Sequence, residues 1–153
     1  MAQRRSWLLI AILLIAAAAP LRASSIPTIQ GSANGIELCE QAVCGSAIFA
    51  AIFSGQAGFN PHALGTIVVS VTHTPLPDAE NPDPAHLTAG VWQLQPLFGP
   101  KIGGIITGGT LEISGPGTFH VVAHMFSPAT GNSTFDGTLS HNAFPPTIKG
   151  TIQ

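Results

Sequence analysis

The sequence predicts an all-β protein that folds as a small antiparallel barrel. Short runs of β-branched and aromatic residues recur along the chain, and Gly, Pro, Asn or Asp bounds each run. Residues 27–31 (PTIQG) resemble residues 146–150 (PTIKG), which suggests that the first and last strands share an environment. In a closed barrel these two strands are neighbours and leave no open edge. A β-sandwich with paired terminal strands is the alternative.

The N-terminal residues have the order of a cleavable signal peptide. Two adjacent arginines precede an apolar run at residues 7–19, and small residues follow around Ala23. We therefore expect a signal-peptide helix at residues 1–23, followed by a single domain at residues 24–153. The apolar run is shorter than the roughly 20 residues of a spanning helix. This favours export to the periplasm or the cell exterior over a membrane anchor, by the ordinary secretory route rather than a twin-arginine one.

Removal of this leader would leave an acidic domain. Residues 24–153 keep Lys101 and Lys149 against all seven acidic residues, so the formal charge is 2 − 7 = −5 with His neutral. Nucleic acids and anionic lipids attract proteins through clusters of Lys and Arg. We therefore exclude nucleic acid as a partner and expect membrane contact only through the transient signal peptide.

Cys39 and Cys44 are the two cysteines of the chain. In an exported protein, an even number of cysteines at this close spacing predicts a disulfide that closes a small loop. No second cysteine pair is present to complete a zinc site.

The predicted strands follow one another along the whole domain. Residues 41–54 fit a helix or a strand, and the neighbouring strands favour a strand. Residues 66–74 alternate most clearly between two faces. Further strands are predicted at residues 90–97, 102–107, 110–114, 119–126, 133–140 and 147–153.

Glycine and proline separate these strands. Gly103-Gly104 and Gly108-Gly109 suggest a bulge and a tight turn. Residues 114–117 predict the turn of a hairpin, and residues 128–132 predict the next turn. The four prolines of residues 75–88 forbid regular pairing, so this stretch is interpreted as a mobile acidic loop.

Six histidines supply the unusual chemistry of the chain. His120 and His124 lie on one face of a predicted strand, but about 13 Å apart, which is too far for one ion unless the strand bends. His73 ends another strand and could supply a further ligand. These three are the candidate metal ligands, although solvated or hydrogen-bonded histidines are the more common arrangement.

No catalytic or cofactor motif is present, so we expect a non-enzymatic domain without a cofactor. The first functional hypothesis is binding of a small apolar ligand inside the barrel. The residues predicted to line that interior are Trp92, Phe119, Val121 and Met125. The alternatives are a surface or matrix interaction module, suggested by the low charge, and a histidine-metal enzyme.

Overall fold

The computed structural model describes residues 26–153, which form a closed barrel of eight antiparallel strands. Each strand pairs with the next one along the chain. The strands are β1 (Thr28–Cys39), β2 (Ala47–Gly58), β3 (Asn60–His73), β4 (Ala85–Pro96), β5 (Ile102–Gly115), β6 (Thr118–Ser127), β7 (Gly131–Ser140) and β8 (Thr147–Ile152). A single helical turn, α1 (Gln41–Cys44), connects β1 to β2. The predicted all-β barrel is confirmed, and the predicted signal peptide lies outside the described residues.

Strands β1 and β8 close the barrel. They pair antiparallel over six residues, with Ala33 opposite Gly150 and Gly31 opposite Ile152. β8 also pairs with β7 on its other side. The two similar pentapeptides therefore lie on neighbouring strands where the barrel closes. No sheet edge is left open among the described strands.

Several predicted boundaries differ from the structure. The ambiguous stretch divides into α1 and the start of β2. The predicted tight turn at Gly108-Gly109 is wrong, because β5 continues through both residues and its pairing with β6 shifts at Gly108. Both glycines have φ near +150° (154° and 147°), where residues with side chains are rare. The pair therefore forms a bulge within one long strand.

The acidic loop is shorter than predicted. It ends at residue 84, because β4 already begins at Ala85. Residues 85–88 are held on both sides: Ala85 pairs with Leu111 of β5, and Leu87 pairs with His73 of β3. The four prolines all precede this pairing, so they do not interrupt it.

The two ends of the barrel differ in how they are filled. We call the base the end formed by the connections after β2, β4 and β6, and the mouth the end formed by the connections after β1, β3, β5 and β7. Near the base, Phe53 and Leu94 are completely buried and belong with Trp92 to the hydrophobic core. Near the mouth, several inward positions are alanines, namely Ala33, Ala47, Ala51 and Ala123. Among residues 26–153, no helix is long and apolar enough to cross a membrane.

Candidate functional site

A cavity of about 450 Å³ occupies the mouth half of the barrel. It opens to solvent at the mouth, where the exposed residues Glu40, Ala42 and Pro75 contribute to its wall. Its volume falls within the roughly 300–1,000 Å³ that small-molecule sites occupy. All eight strands contribute apolar side chains to the wall, and these include Ala33, Phe49, Ala51, Ile67, Val71, Leu87, Ile106, Leu111, Val121, Ala123, Met125, Phe135, Leu139, Ile148 and Ile152.

The cavity follows from the size of the inward-facing side chains. Alternation along each strand turns every second residue into the barrel. Close to the base these positions carry Phe53 and Trp92, which fill the interior. Close to the mouth they carry small residues such as Ala51 and Ala123, which leave space that their neighbours do not fill. The cavity therefore has an apolar floor and opens at the mouth.

Glu37 is the one buried carboxylate on the wall of the cavity among the described residues. Glu37 is 7% exposed, and its backbone N–H donates to the Pro146 carbonyl at 2.9 Å. Its Oε2 lies 3.3 Å from Nε2 of His141, yet the geometry makes no hydrogen bond, and neither atom has another hydrogen-bond partner within residues 26–153. The Glu37 carboxylate therefore keeps hydrogen-bonding capacity that the described chain does not fill.

Burial raises the pKa of the Glu37 carboxyl above its ordinary value. The nearby Glu40 raises that pKa further by like-charge repulsion, whereas His73 lowers it. The negative form of Glu37 is therefore destabilised in this structure, and a cationic hydrogen-bond donor in the cavity would stabilise it.

Gln41 attaches the β1–β2 connection to β3. Its side-chain amide donates to the His73 carbonyl at 2.9 Å, and its Oε1 accepts from the His73 backbone N–H at 2.7 Å. Nδ1 of the His73 ring donates to the Thr74 carbonyl at 2.6 Å, because a carbonyl oxygen only accepts. These three bonds fix the imidazole at the cavity wall.

A disulfide joins Cys39 to Cys44 across α1, as predicted. Gly45 ends the helical turn with φ of +75°, and its N–H bonds to the Gln41 carbonyl. The bridge and the Gln41–His73 bonds together hold this part of the mouth in one conformation.

The charges around the mouth are all acidic within the described part of the chain, counting His as neutral. Glu37 and Glu40 line the cavity, and the β3–β4 connection carries Asp78, Glu80 and Asp83. The two described basic residues lie elsewhere: Lys101 follows β4 at the base, and Lys149 is exposed on the outside of β8. No Lys or Arg in residues 26–153 therefore lines the cavity.

The structure places the four predicted ligand-lining residues in three different surroundings. Val121 and Met125 lie on the cavity wall. Trp92 is buried in the filled half near the base. Phe119 packs edge-to-face against His141, with ring centroids 5.6 Å apart, and is not part of the wall.

The three histidines proposed as metal ligands do not converge. His120 points outward, and its Nε2 lies 2.9 Å from Oδ1 of Asp136. His124 is exposed on the same outer face, whereas His73 lines the cavity inside the barrel. Among residues 26–153, no group of three or more His, Cys, Asp or Glu side chains is arranged to hold a metal ion.

Sequence reasoning missed Glu37, and it considered His141 only as a further metal ligand and not as the neighbour of Glu37. The signal for Glu37 was present, because it shares an alternating face with Ile29 and Ala33 on β1. An acidic residue on an otherwise apolar face marks an inward-pointing carboxylate. His141 follows β7 directly and depends on the path of the β7–β8 connection, which no local pattern predicts.

The cavity is thus apolar at its floor and polar at its mouth. A molecule bound in it would bury its apolar surface against the floor and place one polar group near Glu37 and His141. Comparison of the chain with protein-family models, with curated proteins and with solved structures finds no match.

Proposed function

We propose that this protein is an exported, non-enzymatic binding protein that holds a small apolar molecule inside its barrel. The observation that carries this proposal is the open, apolar cavity of about 450 Å³. An eight-stranded barrel is wide enough to hold one small ligand. Burial of apolar ligand surface in such a cavity contributes about 25 cal/mol per Å².

The closed ladder of strands supports the same proposal. The cavity wall is part of a barrel in which every strand is paired on both sides, so the site exists before the ligand arrives. A preformed site avoids the entropic cost of ordering loops on binding. The filled base sets the depth to which a ligand can enter.

A pair of substitutions on neighbouring residues of β2 tests the proposal. Ala51 lines the cavity, and Ala50 faces outward from the same strand. We expect Ala51→Leu to occupy part of the cavity and weaken binding of a neutral apolar fluorophore, N-phenyl-1-naphthylamine, by about tenfold, equivalent to about 1.4 kcal/mol. The matched control Ala50→Leu should bind as the wild type does.

The measurement is the rise in fluorophore emission on titration at fixed protein concentration. Saturable binding at one site per chain, weakened by Ala51→Leu alone, supports a ligand in the barrel. Absence of saturable binding to the wild type, or equal loss in both variants, would refute the proposal.

The proposal includes export to the periplasm or the cell exterior. The Cys39–Cys44 bridge supports it, because disulfides persist in oxidising compartments. Expression of the full chain with a C-terminal tag, followed by N-terminal sequencing of the mature protein, tests it. We expect a new N-terminus near residue 24 and no free thiol, whereas an intact N-terminus in the cytosolic fraction would contradict export.

A surface partner is the second candidate function, favoured by an apolar row on the outside of the barrel. Val91, Ile105 and Phe126 lie opposite one another on β4, β5 and β6, and all three are exposed. Exposed apolar clusters often mark interaction sites. If this row binds a partner or a second copy, Ile105→Lys should abolish an association that analytical ultracentrifugation or matrix pull-down detects in the wild type. A wild type that stays monomeric and binds no matrix would count against it.

A further inference from the structure

The polar group of the ligand can be inferred from the mouth of the cavity, if the cavity binds a ligand as proposed above. Glu37 is more than nine-tenths buried, lines the cavity, and has an Oε2 without a hydrogen-bond partner in the described chain. An unsatisfied buried carboxylate oxygen carries an energetic cost, because it has lost water and Nε2 of His141, 3.3 Å away, does not form a hydrogen bond with it. A ligand that donates a hydrogen bond here would remove that cost.

The charges around the mouth indicate which kind of hydrogen-bond donor would bind best at Glu37. Glu40 lies on the same wall, and Asp78, Glu80 and Asp83 lie in the β3–β4 connection at the mouth. Lys101 and Lys149, the basic residues of the described chain, lie at the base and on the outside of β8. A cationic head group is therefore attracted to the mouth, and an anionic one is repelled from it.

The histidines of the mouth do not reverse this preference. Nδ1 of His73 already donates to the Thr74 carbonyl, and Nε2 of His141 lies beside Glu37 rather than alone in the cavity. Neither provides the fixed guanidinium or ammonium that sites for carboxylate ligands use. An anionic head group would have to compete with Glu37 for the same imidazole.

We infer that the ligand is an amphiphile with an apolar body and an amine head group that donates to Glu37, and that anionic amphiphiles such as fatty acids bind more weakly. The apolar body lies among the side chains near Met125 and Ile67, and the head group lies at the mouth. A charge-assisted hydrogen bond contributes about 1.5–3 kcal/mol, so the amine should bind about 10- to 100-fold more tightly than a carboxylate of equal chain length. An uncharged alcohol should fall between them.

Displacement of N-phenyl-1-naphthylamine by decylamine, decan-1-ol and decanoic acid at pH 8 tests the inference. The three ligands share an alkyl chain and differ in head group, so the ranking of their affinities shows which head group the mouth prefers. The full mature protein is used as wild type, as Glu37→Gln and as the control Glu112→Gln. Glu112 is exposed on β5 and does not line the cavity. Its substitution removes the same formal charge, and therefore controls for long-range attraction.

We expect the wild type and Glu112→Gln to prefer decylamine to decanoic acid. In Glu37→Gln this preference should fall by about tenfold, while decan-1-ol still binds and so reports an intact fold. If Glu37→Gln does not bind the alcohol, the ranking in the wild type alone decides the question.

Two other outcomes have distinct meanings. Equal or tighter binding of decanoic acid than of decylamine, with clear displacement by decan-1-ol, would overturn the inference and leave ligand binding in place. The same holds if Glu112→Gln loses the preference as fully as Glu37→Gln does. If the fluorophore itself does not bind the wild type, the proposed function fails and the inference fails with it.

Discussion

Glu37 is the residue at which stability and the proposed binding oppose each other. Burial raises the pKa of its carboxyl, and Glu40 adds to that rise. A buried carboxylate without a full set of hydrogen bonds destabilises the folded state, whereas a packed apolar residue at this position would not. Its presence on the apolar wall is consistent with the ligand contact that we propose, and its sequence signal is a single acidic residue on an otherwise apolar strand face.

The raised pKa of Glu37 predicts how stability depends on pH. The folded protein holds the proton more tightly than the unfolded chain does, whose Glu ionises near 4.5. The free energy of unfolding should therefore fall as the pH rises from about 4.5 through the raised pKa of the folded state. Glu37→Gln should remove this part of the fall and be more stable than the wild type at pH 8.

Urea unfolding of both proteins between pH 4 and pH 8 measures this effect, with Glu112→Gln as the exposed control. A Glu37→Gln variant that is less stable than the wild type at pH 8 would mean that His141 and His73 stabilise the ionised carboxyl more than burial destabilises it.

Gly35 is a residue at which backbone packing, and not conformation, requires glycine. A Cβ built there would overlap the Ala50 carbonyl oxygen and the Ala51 Cα of the neighbouring strand. Gly35→Ala should therefore destabilise the barrel by about 1–3 kcal/mol, because the two paired strands would have to move apart to admit the added methyl group.

Gly115 provides the matched control for that substitution. Its φ is not positive, and a Cβ there would meet only the Thr118 Cβ, at 3.9 Å. Gly115→Ala should be neutral or stabilise by up to about 1 kcal/mol, since it reduces the freedom of the unfolded chain. Chemical denaturation of both variants measures the difference, and equal effects at the two sites would contradict the strand packing described for β1 and β2.

At the scale of elements, alternation and turn residues predicted most strands, and the misplaced boundaries have physical reasons. Residues 119–126 and 133–140 lie within β6 and β7, because each strand has an apolar face and a glycine-containing turn beside it. Gly108-Gly109 misled the prediction, since glycine readily adopts the positive φ that both tight turns and bulges use. Only the pairing of β5 with β6 distinguishes these two possibilities, and pairing is not a local property of the sequence.

Reduction of the disulfide that spans α1 should lower the stability of the protein. The Cys39–Cys44 bridge closes a loop of about six residues, and chain entropy predicts a loss of about 2 kcal/mol on its removal. The double variant Cys39→Ser, Cys44→Ser should lose this amount in guanidinium unfolding and remain a barrel by far-UV circular dichroism. Addition of a reductant to the wild type provides the control. An unchanged midpoint in both cases would mean that the Gln41–His73 bonds alone hold the connection.

At the scale of the whole molecule, the sequence predicted a closed barrel but could not predict where its interior is filled. Closure was indicated by the similarity of the first and last strands, which pair in the structure. The cavity depends on which inward residues lie at the same height around the barrel. Trp92 and Val121 illustrate this: both face inward on their strands, but one lies in the filled half and the other on the cavity wall. Strand register decides between them, and it is set by pairings across the whole sheet.

The central claim is that a small amphiphile binds inside the mouth half of the barrel, and a crystal structure with 10-bromodecan-1-ol tests it most directly. The anomalous signal of bromine locates the end of the alkyl chain without reference to the protein density. The account predicts one bromine site inside the barrel near Met125 and Ile67, with the hydroxyl group at Glu37. Bromine bound only to the outer row of Val91, Ile105 and Phe126, with an unoccupied cavity, would contradict it.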